Sequence, residues 1–267
     1  MPELPDVEVF KQYLDATSLH QTIEEVHTDK IEDMLADIRR AGVTRKLKGS
    51  QFTETRRHGK FLFVATDRNG WLLLHFGMTG FLKYFKNTGQ KPDHVRLQVN
   101  FTNNYTLVVG SQRRLGRIGI VDDPDAFVRG KELGPDARND LSFEAFKQIV
   151  QQGRGKMKSF LMNQNRIAGI GNIYSDEILF QSGLHPGTEV RAIQQNSDTI
   201  RRLYDAITEV LDKSISAGAS PEEMPRGFLL PNRQKGGRCP VCGNPISAEK
   251  FAGRISYFCP NCQKSKN

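Results

Sequence analysis

The chain changes its hydrophobic period along its length. Leu4, Val7, Phe10 and Leu14 recur at three-to-four spacing, which predicts a short helix over the first ~20 residues. Pro5 suits its first turn. From about residue 43 to 121 the pattern is that of strands. The apolar runs Phe61–Thr66 and Trp71–Phe76 flank Asp67-Arg68-Asn69-Gly70, a hairpin signal. Val95, Leu97, Val99 and Phe101 alternate with Arg96, Gln98 and Asn100, and Tyr105–Val109 follows the turn residues Asn103-Asn104. This half reads as a β-sandwich or barrel with one N-terminal helix.

After Asp122-Asp123-Pro124-Asp125 the period becomes helical. Ser142 can cap a helix with Phe143, Phe146, Ile149 and Val150 on one face. A second helix is expected near Lys156–Gln164 and a third near Ile173–Gln181, joined by the glycine-rich turn Ala168–Asn172. A longer one is expected over Ser197–Ser216, burying Ile200, Leu203, Tyr204, Ile207 and Leu211 and ended by Gly218 and Pro221. A Pro-, Gly- and Arg-rich connection, 219–238, leads to the tail. The expected class is α+β and multidomain, with boundaries at 1–124, 125–225 and 226–267.

Composition narrows the function classes. With 267 residues, 38 Lys and Arg against 30 acids and a net charge of +8, a disordered acidic chain and a disulfide-dense miniprotein are excluded. No apolar run approaches the ~18–20 residues that span a bilayer. The acidic start MPELPDVEVF lacks the pattern of a signal peptide, so an intracellular protein without a membrane partner is expected. Eight of the basic residues, including Arg254, Lys264 and Lys266, fall in 226–267 beside one acid, Glu249. Such a tail suits a polyanion, although a solvated basic tail would have the same composition.

All four cysteines lie in that tail. Cys239, Cys242, Cys259 and Cys262 make two two-ligand knuckles at either end of a hairpin-sized spacer, the pattern of a structural zinc site with no open position. Two disulfides are the competing reading, disfavoured in an intracellular chain. The turn Gly169-Ile170-Gly171-Asn172 opens a helix where backbone N–H groups and the helix dipole favour an anion. Arg154, Lys156, Lys158 and Arg166 surround it in sequence, with no acid between Gly153 and Ser175, so a phosphate is the expected occupant. A tight corner needing glycine for packing alone is the alternative.

Three segments together, MPELPDVE, GKMKSFLMNQNRIAGIGNIYSDEILFQSGLHP and GRISYFCPNCQK, resemble the formamidopyrimidine-DNA glycosylase / endonuclease VIII family, in the family's order and over nearly the whole chain. The resemblance implies an N-terminal β-sandwich, a helix–two-turn–helix domain and a four-cysteine zinc finger. It implies base-excision repair of double-stranded DNA carrying a damaged base or an abasic site. The chain would act as an intracellular, nucleoid-associated monomer with one structural Zn2+ and no organic cofactor. Pro2, exposed when Met1 is removed, becomes the amine nucleophile and Glu3 the proton shuttle. Without the resemblance, Pro2 and Glu3 would read as an ordinary leader. Lys60 matches a lysine that assists elimination, and Arg254 one that holds the phosphates beside the lesion. Asn172 matches an asparagine at the phosphate turn, and Lys158 a lysine near the lesion pocket. Met78 and Arg113 match two of the three side chains that fill the gap left by a flipped nucleotide, and Leu115 stands at the third position.

Departures from the family pattern bear on specificity. Leu115 stands where the purine-specific branch has phenylalanine, losing aromatic stacking of about 1–3 kcal/mol per base. Asp6 replaces a glutamate, and Pro92 removes the first histidine of a paired motif. The segment AGASPEEMPRGFLLPNRQKGG lacks the loop that covers an everted 8-oxoguanine. The expectation is a bifunctional glycosylase/AP lyase working by β,δ-elimination that handles 8-oxoguanine less well than abasic sites, ring-opened purines or oxidised pyrimidines. A protein that binds lesions without catalysis on the same scaffold is the rival. It has no reason to keep Pro2, Glu3 and Lys60 together.

Overall fold

The computed structural model describes residues 1–36, 40–86, 91–251 and 253–264; Lys266 of the basic tail lies outside them. The chain divides into two compact units, Met1–Pro2 with Asp6–Lys131 and Glu3–Pro5 with Glu132–Asn267. Among the described residues no helix is long and apolar enough to cross a membrane.

The first unit is the expected sandwich. Its elements are α1 (Leu4–Thr17), β1 (Ile23–Thr28), β2 (Leu35–Ala36), α2 (Arg40–Leu47), β3 (Phe52–His58), β4 (Phe61–Thr66), β5 (Trp71–His75), β6 (Gly80–Lys86), β7 (Val95–Phe101), β8 (Tyr105–Ser111), β9 (Arg117–Val121) and α3 (Pro124–Gly130). One sheet has the order β1-β7-β8-β6 and the other β2-β9-β5-β4-β3. Alternate residues of both, such as Val26, Leu97, Val99 and Leu107 against Leu62, Val64, Leu72 and Leu74, fill one core with Val7 and Leu14 of α1. The unbroken apolar runs of β4 and β5 have a second cause. Phe63 and Leu73 face outward and are covered by Phe127 and Val128 of α3, so these strands are buried on both faces. Arg57 of β3 is buried with its Nε 2.6 Å from Glu8 Oε2, which ties the β3–β4 hairpin to α1.

The second unit contains α4 (Phe143–Gln151), α5 (Met157–Leu161), α6 (Asn172–Gln181), α7 (Ser197–Ser216) and the hairpin β10 (Ser247–Phe251)–β11 (Arg254–Phe258). Ser142 caps α4 as its sequence predicts, accepting from Ala145 N at 3.2 Å, and Asn196 caps α7. The second helix is shorter than its periodicity suggests, ending at Leu161 instead of Gln164. Beyond it the side chains compete for the backbone: Asn163 Oδ1 accepts from Asn165 N, and the Gln164 amide bonds Gly169 N and the Ile170 carbonyl.

Helix α6 is the centre of this unit and is buried from Tyr174 to Phe180. Two of its acids lie among apolar residues, and each is fully satisfied. Asp176 receives Lys158 Nζ at 2.6 Å, Arg233 Nε at 2.9 Å, the Ser256 hydroxyl and Tyr257 N at 3.1 Å. It therefore joins α5, the connection after α7 and the zinc-finger hairpin. Glu177 accepts from Leu229 N and Leu230 N at 3.0 and 2.7 Å. The 219–238 connection is consequently packed down, with Met224, Phe228, Leu229 and Leu230 all buried.

Burial pushes the Glu177 carboxyl up from its ordinary 4.5 to about 7, although hydrogen bonds from Leu229, Gln181 and Leu230 act the other way. A folded-state value above the unfolded one gives stability that is present at acid pH and lost as pH rises from 4.5 to 7. The slope is on the order of 1.4 kcal/mol per pH unit, a few kcal/mol in all. Glu177→Gln should gain on the wild type progressively across that interval in urea unfolding experiments. A difference between the two proteins that is independent of pH would refute the assignment.

Candidate functional site

In the second unit the three residues Glu3–Pro5 dock onto the turn between α5 and α6. Leu4 N donates to the Gly169 carbonyl at 3.1 Å, and Leu4 enters the helical core. Gly169 is required there: its φ is +112°, and a Cβ would stand 2.5 Å from Leu4 Cδ1. The buried Glu3 carboxylate then accepts from Gly171 N, Ile173 N and Tyr174 N at 2.9, 2.9 and 3.2 Å. A carboxylate on the positive end of a buried ten-residue helix is a strong anchor. Pro2, half-buried, is the residue immediately before it.

This arrangement corrects the phosphate expected at the glycine turn. Gly171 N of the turn, with Ile173 N and Tyr174 N of the first turn of α6, already holds an anion, and that anion is Glu3. The surrounding cations are dispersed as well. Arg166 lies with its guanidinium carbon 5.2 Å from the Phe160 ring centroid, Lys156 pairs with Glu189 at 2.9 Å, and Arg154 is exposed. Lys158 is fully buried, its Nζ on Asp176 and on the Asn172 carbonyl at 2.7 Å. Burial lowers its pKa, and the Asp176 charge opposes that shift. The contact with DNA expected of Lys158 is therefore corrected to a positioning role. With Arg233, it fixes the Asn172 main chain. The Asn172 Oδ1 is buried without a partner among the described residues.

In the first unit the turn between β3 and β4 presents Lys60, half-buried. Across β4, β5 and β9, Phe61 pairs with His75 and His75 with Arg117. Burial, with Lys60 and Arg117 nearby, pushes His75 down to about 4, so its imidazole is neutral at pH 7. Sequence reasoning passed over His75, although a histidine closing an apolar strand one residue before Phe76-Gly77-Met78 was the available signal. Met78 and Leu115 lie on two loops that are packed backbone to backbone. A Cβ on Gly77 would stand 2.5 Å from the Leu115 carbonyl carbon, and Arg113 N donates to Thr79 Oγ1 at 3.1 Å. Met78 is half-buried, Arg113 exposed, and Leu115 53% exposed, so Leu115 is no core residue.

The tail cysteines converge. The Sγ atoms of Cys239, Cys242, Cys259 and Cys262 lie within 4.8 Å of one another, with 3.8 Å for Cys239–Cys262 and 3.5 Å for Cys242–Cys259. A tetrahedron with ~2.3 Å zinc–sulfur bonds has edges of ~3.8 Å, so the cluster fits that ion. All four are free cysteines. Arg254 opens β11 opposite Phe251 and is exposed.

Three family models match the chain in sequence order. Residues 1–118 match the formamidopyrimidine-DNA glycosylase N-terminal domain, 133–224 the H2TH domain of the same enzymes, and 236–264 a zinc finger found in FPG and IleRS. The formamidopyrimidine-DNA glycosylase of Solibacter usitatus is 33% identical over 99% of this chain and 100% of its own. That of Thermus thermophilus is 32% identical over 98% of each. Lactococcus lactis Fpg bound to DNA with an abasic site superposes at a TM-score of 0.87, with 26% identity over 98% of this chain and 100% of that one. MutM bound to DNA containing carbocyclic 8-oxo-G also gives 0.87, with 27% identity over 99% and 100%. With its sandwich, its helix–turn–helix anchored by Glu3 and its four-cysteine finger, the chain belongs to the formamidopyrimidine-DNA glycosylase family of base-excision repair.

Proposed function

We propose that this protein is a bifunctional DNA glycosylase/AP lyase that removes oxidised bases from duplex DNA and cuts the strand at the resulting site. The observation that carries the reading is the anchoring of Glu3 on α6, which fixes the residue following the nucleophile. With Met1 removed, the secondary amine of Pro2 attacks the sugar C1′ and the base leaves with its bonding electrons. The nitrogen lone pair then expels O4′, which is protonated as the ring opens, leaving an iminium at C1′. This accepts the electrons released when the C2′ proton is lost, and the 3′ phosphate departs; a second elimination releases the 5′ phosphate. Glu3 passes protons to and from the opening sugar ring. Lys60 and Arg254 hold the flanking phosphates, and Asn172, its main chain fixed by Lys158 and Arg233, contacts the same backbone. His75 is neutral at pH 7 and adds no positive charge of its own beside Lys60. Met78, Arg113 and Leu115 enter the gap left by the flipped nucleotide.

Borohydride should trap a covalent adduct between the protein and abasic DNA, and Pro2→Gly or retention of Met1 should strongly reduce it. Undiminished trapping by protein that keeps Met1 would overturn the assignment of Pro2. Tight binding of abasic DNA without any adduct would favour the non-catalytic scaffold.

The four cysteines hold one structural zinc in this reading. Burial pushes the Cys259 and Cys262 thiols up, so a divalent charge is what keeps four thiolates together. Metal analysis should find one zinc per chain. Cys259→Ser should weaken DNA binding, since zinc contributes about 10–16 kcal/mol to the folding of such modules. Two disulfides and no metal in freshly purified, unoxidised protein would refute this.

Lesion preference follows from the connection after α7. Phe228 and Lys158, the two side chains best placed in sequence to substitute for a missing lid, are both buried. A site with fewer groups around the flipped base discriminates weakly. Single-turnover rates on matched duplexes should therefore run from abasic sites, through ring-opened purines and oxidised pyrimidines, to 8-oxoguanine. A clear preference for 8-oxoguanine would show that another segment closes over it.

A further inference from the structure

The cations that the sequence sets around the glycine turn are placed elsewhere by the fold, and one of them, Arg154, borders a separate cavity with Arg191. It has a volume of about 590 Å³, and its lining includes Gln151, Gln152, Arg154, Arg191 and Gln194, all within the second unit. Its donors and acceptors are unevenly used. Gln194 Nε2 reaches the carbonyls of Val150, Gln151 and Gly153 at 3.0, 2.9 and 2.9 Å. The Gly155 carbonyl accepts from Val190 N, and the Glu189 carboxylate is engaged by Lys156. One oxygen of the only carboxylate on the wall is thus held by a lysine, and the Arg191 charge acts on the same group. The guanidiniums of Arg154 and Arg191 and the side-chain amides of Gln151 and Gln152 have no hydrogen-bond partner among the described residues.

Two guanidiniums beside one carboxylate that Lys156 already pairs leave the wall net positive, which favours an anion with several oxygens, and the guanidinium fork matches a phosphate. No aliphatic or aromatic side chain lines the cavity, so nothing there would stack or enclose a nucleobase. We propose that the Arg154–Arg191 cavity is a second anion site that takes backbone phosphates of the duplex outside the lesion. The inference rests on the reading of this protein as a duplex-binding enzyme and extends it to a surface that plays no part in the chemistry. Its consequence is affinity and register on DNA without sequence preference.

The test is the salt dependence of binding, read by fluorescence anisotropy with the zinc-loaded full chain on long undamaged and abasic-analogue duplexes between about 50 and 200 mM KCl. Each phosphate contact contributes about 0.9 to the slope of log K against log salt, so R154A/R191A should flatten it by about 2 on both duplexes. R154K/R191K should retain most of the slope. Thermal unfolding of the variants, whose changes are at exposed positions, reports that the fold is intact. Wild-type slopes in R154A/R191A overturn the site. Amide NMR shifts at 153–155 produced by free ATP, together with an unchanged slope, would assign the cavity to a free nucleotide and overturn the DNA source. Borohydride trapping by the wild type is read in parallel. Its failure would remove the lyase reading, while the slope on undamaged duplex would still decide this one.

Discussion

Most of the second unit depends on how three buried carboxylates are satisfied on one helix. Glu3 closes the N-terminus of α6 by taking three main-chain N–H groups, Asp176 draws in Lys158, Arg233 and the zinc-finger hairpin, and Glu177 pins the connection at Leu229 and Leu230. A buried charge left unpaired is severely destabilising, so each of these acids fixes the segment that supplies its donors. The helix is ten residues long, yet it orders chain from residue 3 to residue 257. Asp176 is surrounded by two cations and two further donors, whereas Glu177 has only neutral donors, and burial pushes the Glu177 carboxyl up to about 7.

In the mechanism proposed above, this gives rigidity where the chemistry needs it. There a secondary amine has to be held in line with the sugar, and the segment just after Pro2 is held by a charge-assisted cap. The same logic explains Asn172. Its main chain is fixed by Lys158 and Arg233, and its buried Oδ1 has no partner among the described residues. In the first unit, a buried Arg57–Glu8 pair performs the equivalent task for the hairpin that presents Lys60. Leu115 is the counterpart: more than half exposed, on a loop packed closely against Gly77, it is an apolar side chain outside the buried core.

The connection after α7 shows how local composition can mislead. Its Pro, Gly and Arg content reads as a loose linker, but Met224, Phe228, Leu229 and Leu230 are buried and the backbone is bonded to Glu177. A segment spending its apolar residues in the core has few left to close over a base. The weak discrimination proposed for this enzyme is thus a property of packing and not only of length.

The sequence by itself determined the strand-rich first half, the helix limits at Ser197 and Ser216, the Ser142 cap and the four-cysteine set, because each depends on periodicity or on spacing within a short stretch. The period leaves sandwich or barrel open, and the packing of the two sheets decides it. It also carried the family resemblance, through motifs whose order is independent of contacts. Tertiary structure alone decided which anion occupies the α6 N-terminus. Glu3 and Gly171 are 168 residues apart, and no local pattern links them. It likewise decided that Lys158 is interior, since a lysine is buried only where a distant carboxylate, here Asp176, pairs with it. The basic run from Arg154 to Arg166 reads in sequence as one patch; three-dimensional packing divides it among a core ion pair, an aromatic face and an open cavity.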